Sequence, residues 1–178
     1  SQGVQTRPVI IGPVSFLLLS KSISENFTPI SKLNDLLPLY SDLFKQLKEI
    51  GVEWIQLDEP FLATDLGEVE TKAYSQFFEY FNDSPAGVKV MLTAYFGDLS
   101  INADLAAASP FEGLHLDLTN IKDPDLLLAK LSNEKTISLG LVNGRNVWRN
   151  DLQQSLITIK QIDENHDFSD LIIAPSCS

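Results

Sequence analysis

The sequence predicts an α/β fold: a (β/α)8 barrel, present here as about six of its eight strand–helix units. Three observations carry that expectation. First, short apolar runs alternate with helical stretches from end to end, at Pro8–Gly12, Glu53–Asp58, Val88–Ala94, Gly113–Leu118, Thr136–Val142 and Leu171–Ala174. Strands alternating with helices imply a parallel sheet, because parallel neighbours need crossover connections. Second, residues two apart in a strand share a face, and here one face is aliphatic while the other is polar or small. Ile55 and Leu57 oppose Trp54, Gln56 and Asp58; Leu114, Leu116 and Leu118 oppose His115 and Asp117; Ile137, Leu139 and Leu141 oppose Ser138 and Gly140. An open sheet with helices on both sides would be apolar on both faces. A barrel packs the aliphatic set on its outer helices and turns the mixed set into the lumen. Third, a whole barrel takes ~250 residues and this chain has 178. It therefore reads as one unit spanning 1–178, a barrel without its first two strand–helix units, whose bare edges invite pairing.

The helices follow from their faces and ends. After Gly12-Pro13 the apolar run Phe16–Leu19 is helical. Leu36, Tyr40, Leu43, Leu47 and Ile50 recur at spacings of three and four, closed by Gly51. Val69, Ala73, Phe77 and Tyr80 form a second stripe. Asp123-Pro124 reads as N-cap and first helical residue of Asp125–Leu131. Asn150-Asp151 opens the last helix, with Leu152, Leu156, Ile159 and Ile162 facing inward.

Bulk composition excludes several classes. The hydrophobic share of 44% marks a globular chain, and a net charge of −11 argues against nucleic acid, whose binding rests on basic residues. No apolar run approaches the ~20 residues of a membrane span. The single Cys177 makes no internal disulfide, which suits the reducing cytoplasm. The chain opens on Ser1 with no signal peptide before the first strand, so it reads as a piece of something longer or a processed product.

In parallel sheets the chemistry lies beyond the carboxyl ends of the strands. Those ends carry Asp58-Glu59-Pro60, Thr93-Ala94-Tyr95, Asp117, Asn143-Gly144-Arg145-Asn146 and Pro175-Ser176-Cys177. Asp58 is an acid/base or an anchor for an amine, or it orders its loop. Glu59 has the weaker claim; its plain alternative is a water-facing carboxylate. His115, mid-strand, reads as a hydrogen-bonded lumen residue before a general base. Arg145 either grips a carboxylate or neutralises Asp58 and Asp117. Zinc needs three or four ligands, and beside Cys177 the chain offers His115 and His166, the latter at an exposed helix end. There is no dinucleotide fingerprint, no Walker loop and no nucleophile–His–Asp pattern.

Read together, Trp54-Ile-Gln-Leu-Asp-Glu-Pro60, Leu92-Thr-Ala-Tyr-Phe-Gly-Asp98, Leu114-His-Leu-Asp-Leu118, Leu139-Gly-Leu-Val-Asn-Gly-Arg-Asn-Val-Trp-Arg149 and Ala174-Pro-Ser-Cys-Ser178 resemble the amino-terminal barrel of the cobalamin-independent methionine synthases. Arg7-Pro-Val-Ile-Ile-Gly-Pro13 and Leu17-Leu-Leu-Ser-Lys21 fit as well. The resemblance implies a methyltransferase that moves a methyl group from methyltetrahydrofolate polyglutamate to homocysteine, making methionine. It implies two related barrels face to face, the carboxy-terminal one holding zinc on a His-x-Cys pair, a Glu and a Pro-x-Cys cysteine. Here Thr93 and Tyr95 stand at the His-x-Cys pair, Asp117 at the Glu, and only Cys177 is kept. The resemblance thus implies the barrel without metal and without catalytic residues, inactive alone, supporting its partner and helping to hold the folate tail. The basic residues for that tail would lie in the missing amino-terminal part. Asp58, Tyr95, Asp117, Asn143 and Arg145 are the candidate lining groups. Two alternatives stay open: a purely structural binding or scaffold barrel, and an enzyme like uroporphyrinogen decarboxylase using Asp58 and Arg145 on a carboxylated substrate.

Overall fold

Six parallel strands hydrogen-bond side by side in chain order: β1 (Val9–Ile11), β2 (Trp54–Asp58), β3 (Lys89–Ala94), β4 (Gly113–Leu116), β5 (Thr136–Val142) and β6 (Asp170–Pro175). The structure is a computed structural model and describes residues 6–23, 25–83 and 87–177. Between the strands run α1 (Pro13–Leu19), α2 (Leu33–Glu49), α3 (Glu68–Asp83), α4 (Ala103–Ala107), α5 (Pro124–Leu128) and α6 (Leu152–Asn165). The parallel α/β architecture is the expected one. Closure is not reached: β1 pairs with β2 and β6 with β5, and no ladder joins β6 to β1 among the described residues.

Register turns the two faces into rows. Leu57, Leu92, Leu114, Ile137 and Leu171 lie side by side across β2–β6, and the first four are fully buried beneath the helices. The neighbouring row, on the other face, is Ile11, Asp58, Thr93, His115, Ser138 and Ile172. The alternation read from the sequence is therefore the alternation of the sheet.

The helix layer is held by an aromatic cluster. Phe44 from α2 meets Phe81 from α3 at 5.4 Å, Phe77 meets Phe81 edge-on at 5.6 Å, and Phe111 packs on Phe77 at 5.5 Å. Burying one such ring contributes roughly 1.5–3 kcal/mol, and an edge-to-face pair about 0.5–1.5 more. This cluster decides how α3 is rolled. Its buried residues are Ala73, Tyr74, Phe77, Phe78 and Phe81, while Val69 is exposed and Tyr80 half-buried, so the stripe expected on this helix is only partly the one used. On α2 the buried line is Leu33, Leu37, Tyr40 and Phe44, with Leu36 and Leu47 beside it; Leu43 and Ile50 are exposed. Gly51 ends the helix as expected, in the left-handed region at φ +89°, with Val52 N–H donating back to Leu47.

Three further expectations need correction. The strand Gly113–Leu118 stops at Leu116, because Asp117 turns the chain and its carbonyl accepts from Asn120 and Ile121. The helix after Asp123 ends at Leu128 instead of Leu131; Asp123 does cap it, accepting from Leu126 N at 3.1 Å. On α6 only Ile162 is buried; Leu152 and Leu156, expected inward, are exposed, because no helix packs beyond α6 among the described residues. Ile173 on β6 is 63% exposed for the same reason.

Truncating Phe77 to Ala should cost about 3–5 kcal/mol in urea denaturation. Leu39→Ala on the exposed side of α2 should stay within about 0.5 kcal/mol.

Candidate functional site

Asp58 ends β2 almost fully buried, and both its oxygens are engaged. Gln56 donates to Oδ1 at 2.9 Å and the Tyr95 hydroxyl to Oδ2 at 2.9 Å. The register sets Asp58 opposite Thr93, so Tyr95 leaves β3 two residues later on the same side and reaches across. Asp117 is buried beyond β4 and accepts four donors: Thr119 N and Oγ1 on Oδ1, Asn120 Nδ2 and Phe96 N on Oδ2. That last bond fixes Phe96 at φ +71°, a region bulky residues rarely occupy.

Phe96 in turn joins the remaining candidates. Its ring lies 4.5 Å from Tyr95, and the Arg145 guanidinium sits 4.8 Å above its face. Arg145 therefore makes neither ion pair foreseen for it: among the described residues no salt bridge links it to Asp58 or Asp117. Asn143 spends its side chain on its own loop, accepting from Arg145 N at 2.9 Å. Asp58, Tyr95, Asp117 and Arg145 are thus one connected group, with Asn143 setting the backbone beneath Arg145.

His115 is the lumen residue expected. Ser176 O lies 3.2 Å from Nε2, and a carbonyl only accepts, so Nε2 carries the proton and Nδ1 accepts from Ser138 Oγ at 2.9 Å. Burial lowers its pKa, which keeps the ring neutral. It pins β4 to β5 and to the end of β6. His166, expected exposed, is largely covered: it stacks on Phe168 at 5.5 Å and lies 3.6 Å from the Asp125 carboxylate.

Two residues carry more than the sequence reading gave them. Arg7 reaches into the lumen, where a cavity of about 170 Å³ is lined by Arg7, Gln56, Thr93, His115, Ser138 and Cys177. Burial lowers the Arg7 pKa and the Asp58 charge pulls it back up. Strand parity was the signal that could have found it, since Arg7 is two residues from Val9, which pairs with lumen-facing Gln56. Glu59 is the other. Far from facing water, it is fully buried on the helix side of the sheet. Val14 N donates to Oε1 at 3.0 Å, Ser15 N to Oε2 at 2.8 Å, and the Tyr74 hydroxyl to Oε2 at 2.9 Å. Desolvation outweighs these bonds and pushes its pKa up to about 7. Tyr40 is pushed up to about 12 by burial and by the Glu59 charge, and the Tyr74 hydroxyl is raised by the same two causes.

The positions matching the family's zinc ligands do not suit that metal. Thr93 Oγ1 bonds Met91 O, Tyr95 is spent on Asp58, and the Asp117 oxygens hold four donors, which leaves Cys177 as the one soft ligand. Among the described residues no three His, Cys, Asp or Glu side chains are grouped to hold an ion. Ser178, after Cys177, lies outside the described residues.

Residues 1–167 match the family model for the amino-terminal domain of cobalamin-independent synthase. The chain is similar to the 5-methyltetrahydropteroyltriglutamate–homocysteine methyltransferase of Dictyostelium discoideum, 40% identical over 185 residues, covering 98% of this chain and 22% of that protein. The enzyme of that name from Xylella fastidiosa strain M23 is 44% identical over 178 residues, covering 99% and 23%. The chain therefore spans less than a quarter of the length of these curated relatives. Its fold is similar to the crystal structure of a Listeria monocytogenes protein assigned as a vitamin-B12-independent methionine synthase. The TM-score is 0.68 at 20% identity, over 96% of this chain and 56% of that one.

Glu59 gives a pH signature. Its folded pKa lies above the usual 4.5, so the folded chain holds a proton that the unfolded chain releases. The associated stability is complete below about pH 4.5 and is lost as pH rises through about 7, by up to about 1.4 kcal/mol per pH unit. Urea denaturation between pH 5 and 8 should show this fall in the native chain and a weaker one in Glu59→Gln, which carries no titrating proton. Equal slopes in the two would refute it. Gly12→Ala should destabilise at every pH, since its Cβ would lie 2.2 Å from Glu59 Oε1.

Proposed function

The chain belongs to the cobalamin-independent methionine synthase family, as part of its amino-terminal domain, and from that premise we propose that it is one piece of a two-barrel methyltransferase. In the proposed reaction the N5-methyl group of a methyltetrahydrofolate polyglutamate passes to the thiolate of homocysteine. A carbon–nitrogen bond breaks, a carbon–sulfur bond forms, and the folate nitrogen takes up a proton. The observation that carries this reading is the match itself: nearly the whole chain aligns with enzymes of that name at 40–44% identity.

The role proposed for this domain is support. Zinc belongs to the carboxy-terminal barrel of the whole protein; the donor set here is spent on internal hydrogen bonds. Asp58, Tyr95, Asp117, Asn143 and Arg145 line the mouth and hold its shape, with no part in the bond changes, and the folate tail is gripped partly by sequence outside this chain. Further strand–helix units close the cylinder, a reading supported by the uncovered flank of α6 and the exposed Ile173 at the β6 edge. The cytoplasm is the proposed compartment; no helix among the described residues is long and apolar enough to cross a membrane. The decarboxylase-like alternative loses support, because Asp58 is fully hydrogen-bonded and Arg145 lies on Phe96.

The test compares this chain with the full-length protein. The full-length protein should form methionine from homocysteine and methyltetrahydrofolate triglutamate. Residues 1–178 should form none, give no saturable heat with the triglutamate in calorimetry, and carry no zinc by elemental analysis. Stoichiometric zinc lost on Cys177→Ala, or saturable folate binding by the short chain, would overturn the assignment of roles.

A further inference from the structure

The loop between β5 and α6 is ordered yet presents its largest apolar side chains to water. Asn143 Oδ1 accepts from Arg145 N and Asn146 Oδ1 from Trp148 N, two Asx turns in succession, and Asp151 caps the helix that follows. On this framework Val147 is 93% and Trp148 80% exposed, beside Phe96 at 50%. A backbone this well bonded that turns an indole and an isopropyl group outward has the character of a contact surface waiting for cover.

The place where the chain leaves the structure identifies the cover. Ser176 N donates to Val142 O at 2.7 Å, and Gly144 N donates to Ser176 Oγ at 3.1 Å. Cys177 presses so closely on Gly144 that a Cβ there would lie 3.1 Å from its Sγ. The exit of the chain is thus fastened to the foot of this loop. The matched family region is an amino-terminal domain, and the curated relatives are more than four times longer, so their polypeptide has further to run.

We propose that Val147 and Trp148 are covered, in the full-length protein, by the polypeptide that continues from Ser178. That segment supplies an apolar seat for the indole, and Arg145 and Arg149 flank it as a basic rim that favours carboxylates at its edge. A second copy of this chain is the poorer occupant, since two bodies of net charge −11 repel. The inference rests on the family assignment and not on the reaction.

The test uses the full-length protein with Trp148 replaced by the photo-crosslinking residue p-benzoylphenylalanine, cross-linked peptides being identified by mass spectrometry. The expected product is an intramolecular link to a peptide carboxy-terminal of Ser178. Hydroxyl-radical oxidation of native Trp148 guards against a misfolded variant; it should be several-fold slower than in a free peptide of residues 143–151. A link to a second copy, a link to sequence before Ser1, or oxidation as fast as in the free peptide would overturn the proposal. Full-length protein that cross-links as expected but transfers no methyl group would refute the proposed function alone.

Discussion

The buried carboxylate of Glu59 is the constraint on which the first half of the fold depends. A carboxyl group removed from water needs hydrogen-bond donors, or it costs several kcal/mol. Here they come from two other elements, the start of α1 and the middle of α3. Pro13 brings no N–H to the first turn, so its first free donors are those of Val14 and Ser15, and Glu59 takes both. Gly12 is obligatory because any side chain there would occupy the space of the carboxylate. One residue beyond the strand thus fixes where α1 begins, how closely α3 approaches, and the direction in which the chain leaves β2.

The same residue shows how far the sequence could be read. Parity put Asp58 into the lumen and, by the same rule, Glu59 on the helix side. What parity does not state is whether the helix side is dry at that level. That depends on Tyr74 arriving from α3 and on a glycine forty-seven positions earlier, both long-range facts. The strands and the lumen residues Asp58, His115 and Asp117 were legible because a period of two is local. The roll of α3 was not, because it follows from which aromatic rings from α2, α3 and Phe111 fit together. Ala103–Ala107 gave no warning either, being too short for a helical stripe to repeat.

At the mouth, the polar groups hold one another. Asp117 fixes Phe96, Phe96 carries Arg145 and flanks Tyr95, and Tyr95 occupies Asp58. A catalytic carboxylate needs an oxygen left for its substrate, or a pKa matched to its task. Both Asp58 and Asp117 instead have each oxygen bonded within the chain. The histidine follows the same logic, its two ring nitrogens spent on Ser138 and Ser176. Such an arrangement keeps loops in register and suits a face that positions something else.

The apolar residues left in water are distributed by rule, and the rule exposes what the sheet lacks. In a right-handed crossover the helix after a strand packs over it on the way to the next. β1 is followed by α1 and α2, so its outward Ile10 packs on the core while Val9 and Ile11, on the lumen face, stay exposed. β6 is followed by no helix among the described residues, so its exposure falls on the outward face, at Ile173, and runs on to Leu152 and Leu156 of α6. The two edges therefore need different things: β1 needs neighbours that complete a lumen, and β6 needs a helix on its outer side. One closing set of strand–helix units meets both needs at once, whereas a flat edge-to-edge partner would meet neither.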